Sequence, residues 1–204
     1  MEGYAYFPAV VYRDERPDLA KEVLPTCVQY LDKVRNPERP MCQSAHLGND
    51  PALRSVVDYL LLSAVDLLRG QGYMVERYDF YLQGLWAQEI NRGGGTNVHI
   101  HKNSQICGWM FLETPEGGAY PLYHDPRMNK SMIELDFMQG EEITNATNTV
   151  HFNNMQPGTV MFGNSWMQHQ LTGSNTDTPT RCIHFIVAHK ERPCSICLHP
   201  TQCR

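Results

Sequence analysis

Gly93-Gly94-Gly95-Thr96-Asn97-Val98-His99-Ile100-His101 decides how this chain is read. The glycines turn the backbone, and an alternating segment follows in which side chains two apart share a face. His99 and His101 therefore project together, while Val98 and Ile100 point to the other side. Some seventy residues later Ser165-Trp166-Met167-Gln168-His169 offers a third imidazole. Three imidazoles from two strands close one triangular face of an octahedral ion and leave its other positions open, as oxygen and substrate chemistry requires. The same spacing is met by histidines satisfied at a surface or in a core, so the surrounding pattern has to decide.

From Tyr73 onward the chain runs in short β-branched and aromatic stretches separated by Gly, Pro and Asn. Strands are expected near 74–82, 84–91, 96–102, 105–113, 119–124, 131–137, 149–153, 158–163, 166–171 and 181–189, a number that suggests a jelly roll or related barrel. The glycine run 93–95 would form a rim loop at the barrel mouth, where a ligand approaches the backbone. Before this β region, residues 4–12 read as a first strand and Asp18–Val34 as a helix weakened by Pro25. Asn49-Asp50-Pro51 is a cap with a first-turn proline, followed by Leu53, Val57, Leu60, Leu61, Ala64, Leu67 and Leu68 at helical spacing until Gly70.

The 204 residues, 42% of them hydrophobic, suffice for one well-buried core. We expect a single domain over 1–193, with helical support at about 14–70 and a β core at about 73–190, then a Cys-rich tail, 194–204. A net charge of -5 with no Lys/Arg run argues against nucleic acid or an anionic membrane as partner. Neither a signal peptide nor a stretch of membrane-spanning length is seen, so a cytoplasmic location is expected. The seven cysteines are then reduced thiols or metal ligands. Cys194, Cys197, His199 and Cys203 are four soft donors, but only Leu198 separates Cys197 from His199, which is cramped for a zinc knuckle.

Arg181 opens Arg181-Cys182-Ile183-His184-Phe185-Ile186-Val187, sharing a face with Ile183 and Phe185. A guanidinium entering an apolar strand needs an anion, and a bidentate carboxylate is the natural one.

Several stretches now carry a resemblance: Trp86-Ala87-Gln88-Glu89-Ile90, Asn97 to His101, Cys107-Gly108-Trp109-Met110-Phe111-Leu112, His124-Asp125-Pro126-Arg127, and Pro157-Gly158 through His169 to Arg181. Over most of residues 84–188 the chain resembles the Fe(II)- and 2-oxoglutarate-dependent oxygenases, in particular a group often seen in marine bacteria and their phages. The resemblance implies a mainly β fold with flanking helices, a double-stranded β-helix of cupin-like jelly-roll type. Helix 50–69 would cover the face carrying Val98 and Ile100. It also implies Fe(II) on His99 and His169, with Arg181 anchoring the far carboxylate of 2-oxoglutarate inside the barrel, helped by a hydroxyl from Tyr120 or Tyr123. Trp109, Phe111, Met161 and Phe162 are read as ordinary barrel core or, alternatively, as walls of the site.

The superfamily pattern is His-x-Asp or His-x-Glu, whereas this chain has His101 at the carboxylate position. Either His99, His101 and His169 form a three-histidine site, as in cupin-type dioxygenases, or Asp125 supplies the carboxylate and His101 stands behind it. The implied reaction consumes O2 and 2-oxoglutarate, hydroxylates a C–H bond of a peptidyl or small-molecule substrate, and releases succinate and CO2. The alternatives are a cupin-like three-histidine dioxygenase without 2-oxoglutarate and a non-catalytic metal-binding barrel. A homodimer and, for a phage-encoded chain, the host-cell cytoplasm are compatible with this reading.

Overall fold

The computed structural model describes residues 2, 8–127, 132, 135–136 and 147–192. The elements follow as β1 (Val11–Glu15), α1 (Pro17–Asp32), β2 (Met41–Gln43), α2 (Arg54–Gly70), β3 (Tyr78–Ile90), β4 (Ile106–Glu113), β5 (Pro121–His124), β6 (Thr149–His151), β7 (Thr159–Asn164), β8 (His169–Leu171) and β9 (Thr180–Glu191).

Helix α1 starts on Pro17 and buries Leu19, Ala20, Val23, Cys27 and Leu31 along one stripe, so packing carries it through Pro25. The Asp50 side chain accepts from the Ala52 amide at 2.9 Å, and a 3₁₀ turn, Pro51–Leu53, leads into α2. There Val56, Val57, Leu60, Ala64 and Leu68 are buried. No helix among the described residues is long and apolar enough to cross a membrane.

The strands form a six-stranded sheet, β1-β7-β4-β9-β3-β2, and a three-stranded sheet, β6-β5-β8. The described pairings between these strands are antiparallel. Alternation along β4 shows how the large sheet separates two cores. Met110 and Leu112 face the helices with Leu85, Ala87, Ile183, Phe185 and Val187. Trp109 and Phe111 face the small sheet with Ile90, Met161, Cys182, Tyr123 and Leu171.

Two expected strands, 74–82 and 84–91, are one strand, β3, with a register irregularity between Leu82 and Gly84. A Cβ on Gly84 would lie 2.0 Å from the Trp86 ring, so glycine lets that ring lie over the strand. Segment 96–102 is not a full strand; it meets β8 through the bridge His99–His169. The first strand begins at Val11, and residues 4–7 lie outside the described residues. So do the tail 194–204 and most of the strand expected at 131–137, where only residues 132, 135 and 136 are described.

One expectation is overturned. Helices α1 and α2 pack on β3 and β4 of the large sheet, whereas Val98 and Ile100 are 44% and 43% exposed. Their face is covered by neither helix, because the segment that carries them belongs with the small sheet on the opposite side.

Candidate metal centre

The backbone places the first two imidazoles. Gly94 sits where a Cβ would meet the Pro40 carbonyl oxygen at 2.1 Å, so the close approach at the glycine run is to the chain itself. From there the segment crosses to β8. His99 and His169 exchange two backbone hydrogen bonds of 3.1 Å, and the His101 amide donates to the Ser165 carbonyl at 2.9 Å. One exchange thus aligns a residue from each segment.

The rings of His99 and His101, His99 and His169, and His101 and His169 have centroids 4.9, 4.6 and 5.1 Å apart. One ligand atom of each lies within 4.8 Å of the others, and among the described residues this is the group that meets such a criterion.

Orientation follows from the second nitrogen. His99 Nδ1 lies 2.7 Å from the Asn97 carbonyl oxygen and His169 Nδ1 2.7 Å from the Met167 carbonyl oxygen. A carbonyl only accepts, so in the neutral imidazole Nδ1 carries the proton and Nε2 presents its lone pair. His101 Nε2 is buried with no protein partner. Burial, and next the neighbouring histidines, push the pKa of His101 down to about 4. Burial does the same to His169, also to about 4. These rings are neutral at physiological pH and free to donate lone pairs. A cluster of three imidazoles with an orphaned buried nitrogen fits a divalent first-row ion.

The alternative carboxylate is elsewhere. Asp125 accepts from the Arg127 amide at 2.9 Å and from its guanidinium at 2.6 Å, and stands apart from the histidine group. Tyr120 directs its hydroxyl to His151 Nδ1 at 3.3 Å on the exposed side. Tyr123 is 3% exposed, its hydroxyl buried with no partner and its ring 6.0 Å from His169. Burial raises the Tyr123 pKa well above its ordinary value, so the hydroxyl keeps its proton. Beside them the Cys107 thiol lies 3.8 Å from His169 Nε2. Burial pushes that thiol up to about 12. Trp109, Phe111 and Met161 belong to this inner core, but Phe162 belongs to the helix side.

Arg181 is on the wrong face for its expected role. It shares the helix-facing side with Ile183 and Phe185, donating from Nε to Glu89 at 2.7 Å and from Nη1 to Glu113. Arg35, just beyond α1, grips the same Glu89 with two bonds of 2.7 Å. The anion that Arg181 requires is thus supplied from β3 and β4, and the expectation of an anchor inside the barrel is corrected.

The sequence reading missed His184. It lies on the inner face of β9, register-paired with Trp86 on one side and Trp109 on the other. Its ring stacks on both, at 5.6 and 5.5 Å between centroids, and is 5.0 Å from the His101 ring. Nε2 is buried without a partner. The available signal was parity: assigning Trp109 to the barrel interior brings its neighbour His184 there and sends Arg181 out.

Comparison with curated protein sequences gave no match. A carbocyclase of nogalamycin biosynthesis, SnoK, described as non-heme and alpha ketoglutarate dependent, superposes with TM-score 0.64 at 13% identity, covering 92% of this chain and 84% of its own. The epimerase SnoN of the same biosynthesis, solved with Fe3+, alpha ketoglutarate and nogalamycin RO, gives 0.60 at 13% identity, with 91% and 82% covered. A Pseudomonas putida prolyl-4-hydroxylase gives 0.57 at 10% identity, with 90% and 94% covered. These likenesses establish the double-stranded β-helix fold. A family model described as "Putative 2OG-Fe(II) oxygenase" matches residues 84–185, half of the chain, and encloses the three clustered histidines. By that match the chain belongs to the 2OG-Fe(II) oxygenase family, whose metal is Fe(II) and whose cosubstrate is 2-oxoglutarate.

Proposed function

We propose that the protein is a dioxygenase that hydroxylates a C–H bond of a small-molecule or peptidyl substrate, with Fe(II) held by His99, His101 and His169. The observation that carries this reading is the convergence of three imidazoles, two of them fixed by Nδ1–carbonyl contacts of 2.7 Å. When bound, Fe(II) and 2-oxoglutarate supply the oxidising power that puts one atom of O2 into a C–H bond and the other into succinate, with loss of CO2.

The chain's share is geometric and dielectric. Carbonyls of Asn97 and Met167 hold two ligand rings in one tautomer. Trp109, Phe111, Met161 and Leu171 form a dry wall behind His169. The Tyr123 hydroxyl, buried beside His169 and unpartnered, supports a hydrogen bond to the cosubstrate.

The test is anaerobic titration of Fe(II) with and without 2-oxoglutarate, read by the weak visible charge-transfer band of a 2-oxo acid chelated to iron. A succinate assay in air with candidate substrates follows. The band and 2-oxoglutarate-dependent succinate are expected. Iron binding without a band would move the protein to the three-histidine dioxygenases that work without 2-oxoglutarate, and no iron binding would make it a scaffold.

A further inference from the structure

The inner face of the large sheet carries few polar groups, and nearly all are paired. Gln88 receives the Cys182 thiol and donates to Gln43 at 2.7 Å, and Thr180 accepts from the Ala119 amide at 2.9 Å. Cys107 meets His169. His184 differs: it is 5% exposed, its Nε2 has no partner, and its ring is held between Trp86 and Trp109 against His101. Stacking on both sides restrains the ring, and a buried polar atom left open in this way calls for a ligand.

We propose that His184 receives the metal-distant carboxylate of 2-oxoglutarate, in the place sequence reading gives to Arg181. This rests on the proposed function and names a group within that site. Charge makes a neutral donor sufficient. Three neutral imidazoles leave a divalent ion with its full charge, and a dicarboxylate cancels it, so the loaded centre is neutral without a buried guanidinium. A cation beside it would instead leave a net charge in a low-dielectric interior, which is costly. The outward turn of Arg181 onto Glu89 and Glu113 and the exchange of a carboxylate ligand for His101 are then two halves of one balance. The Tyr123 hydroxyl is also buried and unpartnered, but it lies beside His169, against whose ring the Cys107 thiol sits. The neighbour of Tyr123 is thus His169, whereas the His184 ring lies against His101.

The experiment titrates 2-oxoglutarate, and separately pyruvate, into the anaerobic Fe(II) protein, for wild type, His184→Phe, His184→Gln and Arg181→Gln. Pyruvate has the chelating end and lacks the distant carboxylate. His184→Phe keeps a flat ring between the tryptophans and should weaken 2-oxoglutarate by about tenfold or more, the loss of a hydrogen bond to a charged group. It should leave pyruvate and Fe(II) binding unchanged. His184→Gln, which retains a nitrogen donor near the Nε2 position, should recover most of the affinity. Equal 2-oxoglutarate affinity in His184→Phe, loss of Fe(II) from it, or a larger loss in Arg181→Gln would overturn the assignment while leaving the proposed function standing. A wild-type protein that binds Fe(II) but gives no band with either acid would remove the proposed function, and the assignment with it.

Discussion

The two faces of β9 treat polar side chains in opposite ways. On the helix side Arg181 is saturated by Glu89 and Glu113, and Glu89 is held again by Arg35. On the barrel side, three residues along, His184 is more deeply buried than Arg181 and has nothing on its Nε2. Burial of an unmatched polar group costs free energy wherever it occurs. The helix side meets that cost with protein partners and so builds the fold, whereas the barrel side leaves it to a ligand and so builds a site. Saturation is therefore a better guide to function here than residue type.

The comparison is broken most severely at the metal. His169→Ala should abolish Fe(II) binding and turnover together, measured by anaerobic titration and bound-metal analysis; wild-type iron occupancy in the variant would end the site assignment. His101→Asp places a carboxylate in the triad. We expect altered Fe(II) affinity and 2-oxoglutarate binding weakened by about tenfold, one short-range repulsion in a partly screened site. Unchanged metal affinity would show that His101 is not a ligand.

On the saturated face the effects are on stability. Glu89→Gln leaves Arg35 and Arg181 without their shared anion, and because Arg35 is partly solvated we expect a loss of about 2–3 kcal/mol, below that of a fully buried pair. A urea midpoint equal to wild type would refute it, and Fe(II) binding should not change. Bonding to Arg35 foremost, and to Arg181, holds the Glu89 carboxyl below its ordinary range against the opposing pull of burial. A depressed carboxyl contributes stability that is complete above the unfolded value near about 4.3 and is lost as pH falls through the folded one. The gap between wild type and Glu89→Gln should therefore shrink between neutral pH and about pH 3. Smallest of all, Val98→Ser alters a side chain that is 44% exposed and should move stability by less than about 0.5 kcal/mol; a larger loss would show that its face is covered.

What the sequence discloses depends on whether burial is one-sided. Helix α2 is legible because it buries a single stripe, Val56, Val57, Leu60, Ala64 and Leu68. The pairing of His99 with His101 is legible because Val98 and Ile100 on the other parity are apolar and alternate with them. Strand β9 is not legible in the same way. It lies between β4 and β3 and is buried on both faces from Cys182 to Ala188, so its apolar run has no sidedness to read. The requirement of Arg181 for an anion followed from sequence, but its face did not, and His184 went unseen for the same reason. Asp125 could not be separated from His101 by spacing, since its partner Arg127 is two residues away in a turn rather than across a strand.

The paired backbone bonds between His99 and His169 have one more consequence. They close a chain loop of about seventy residues through main-chain atoms alone. Backbone pairing thus shares the entropy of bringing the two ligand segments together, and the ion need not be their only staple. The amide protons of His99 and His169 then serve as a built-in gauge. Their exchange with solvent reports whether the cradle stands, independently of whether anything lies in it.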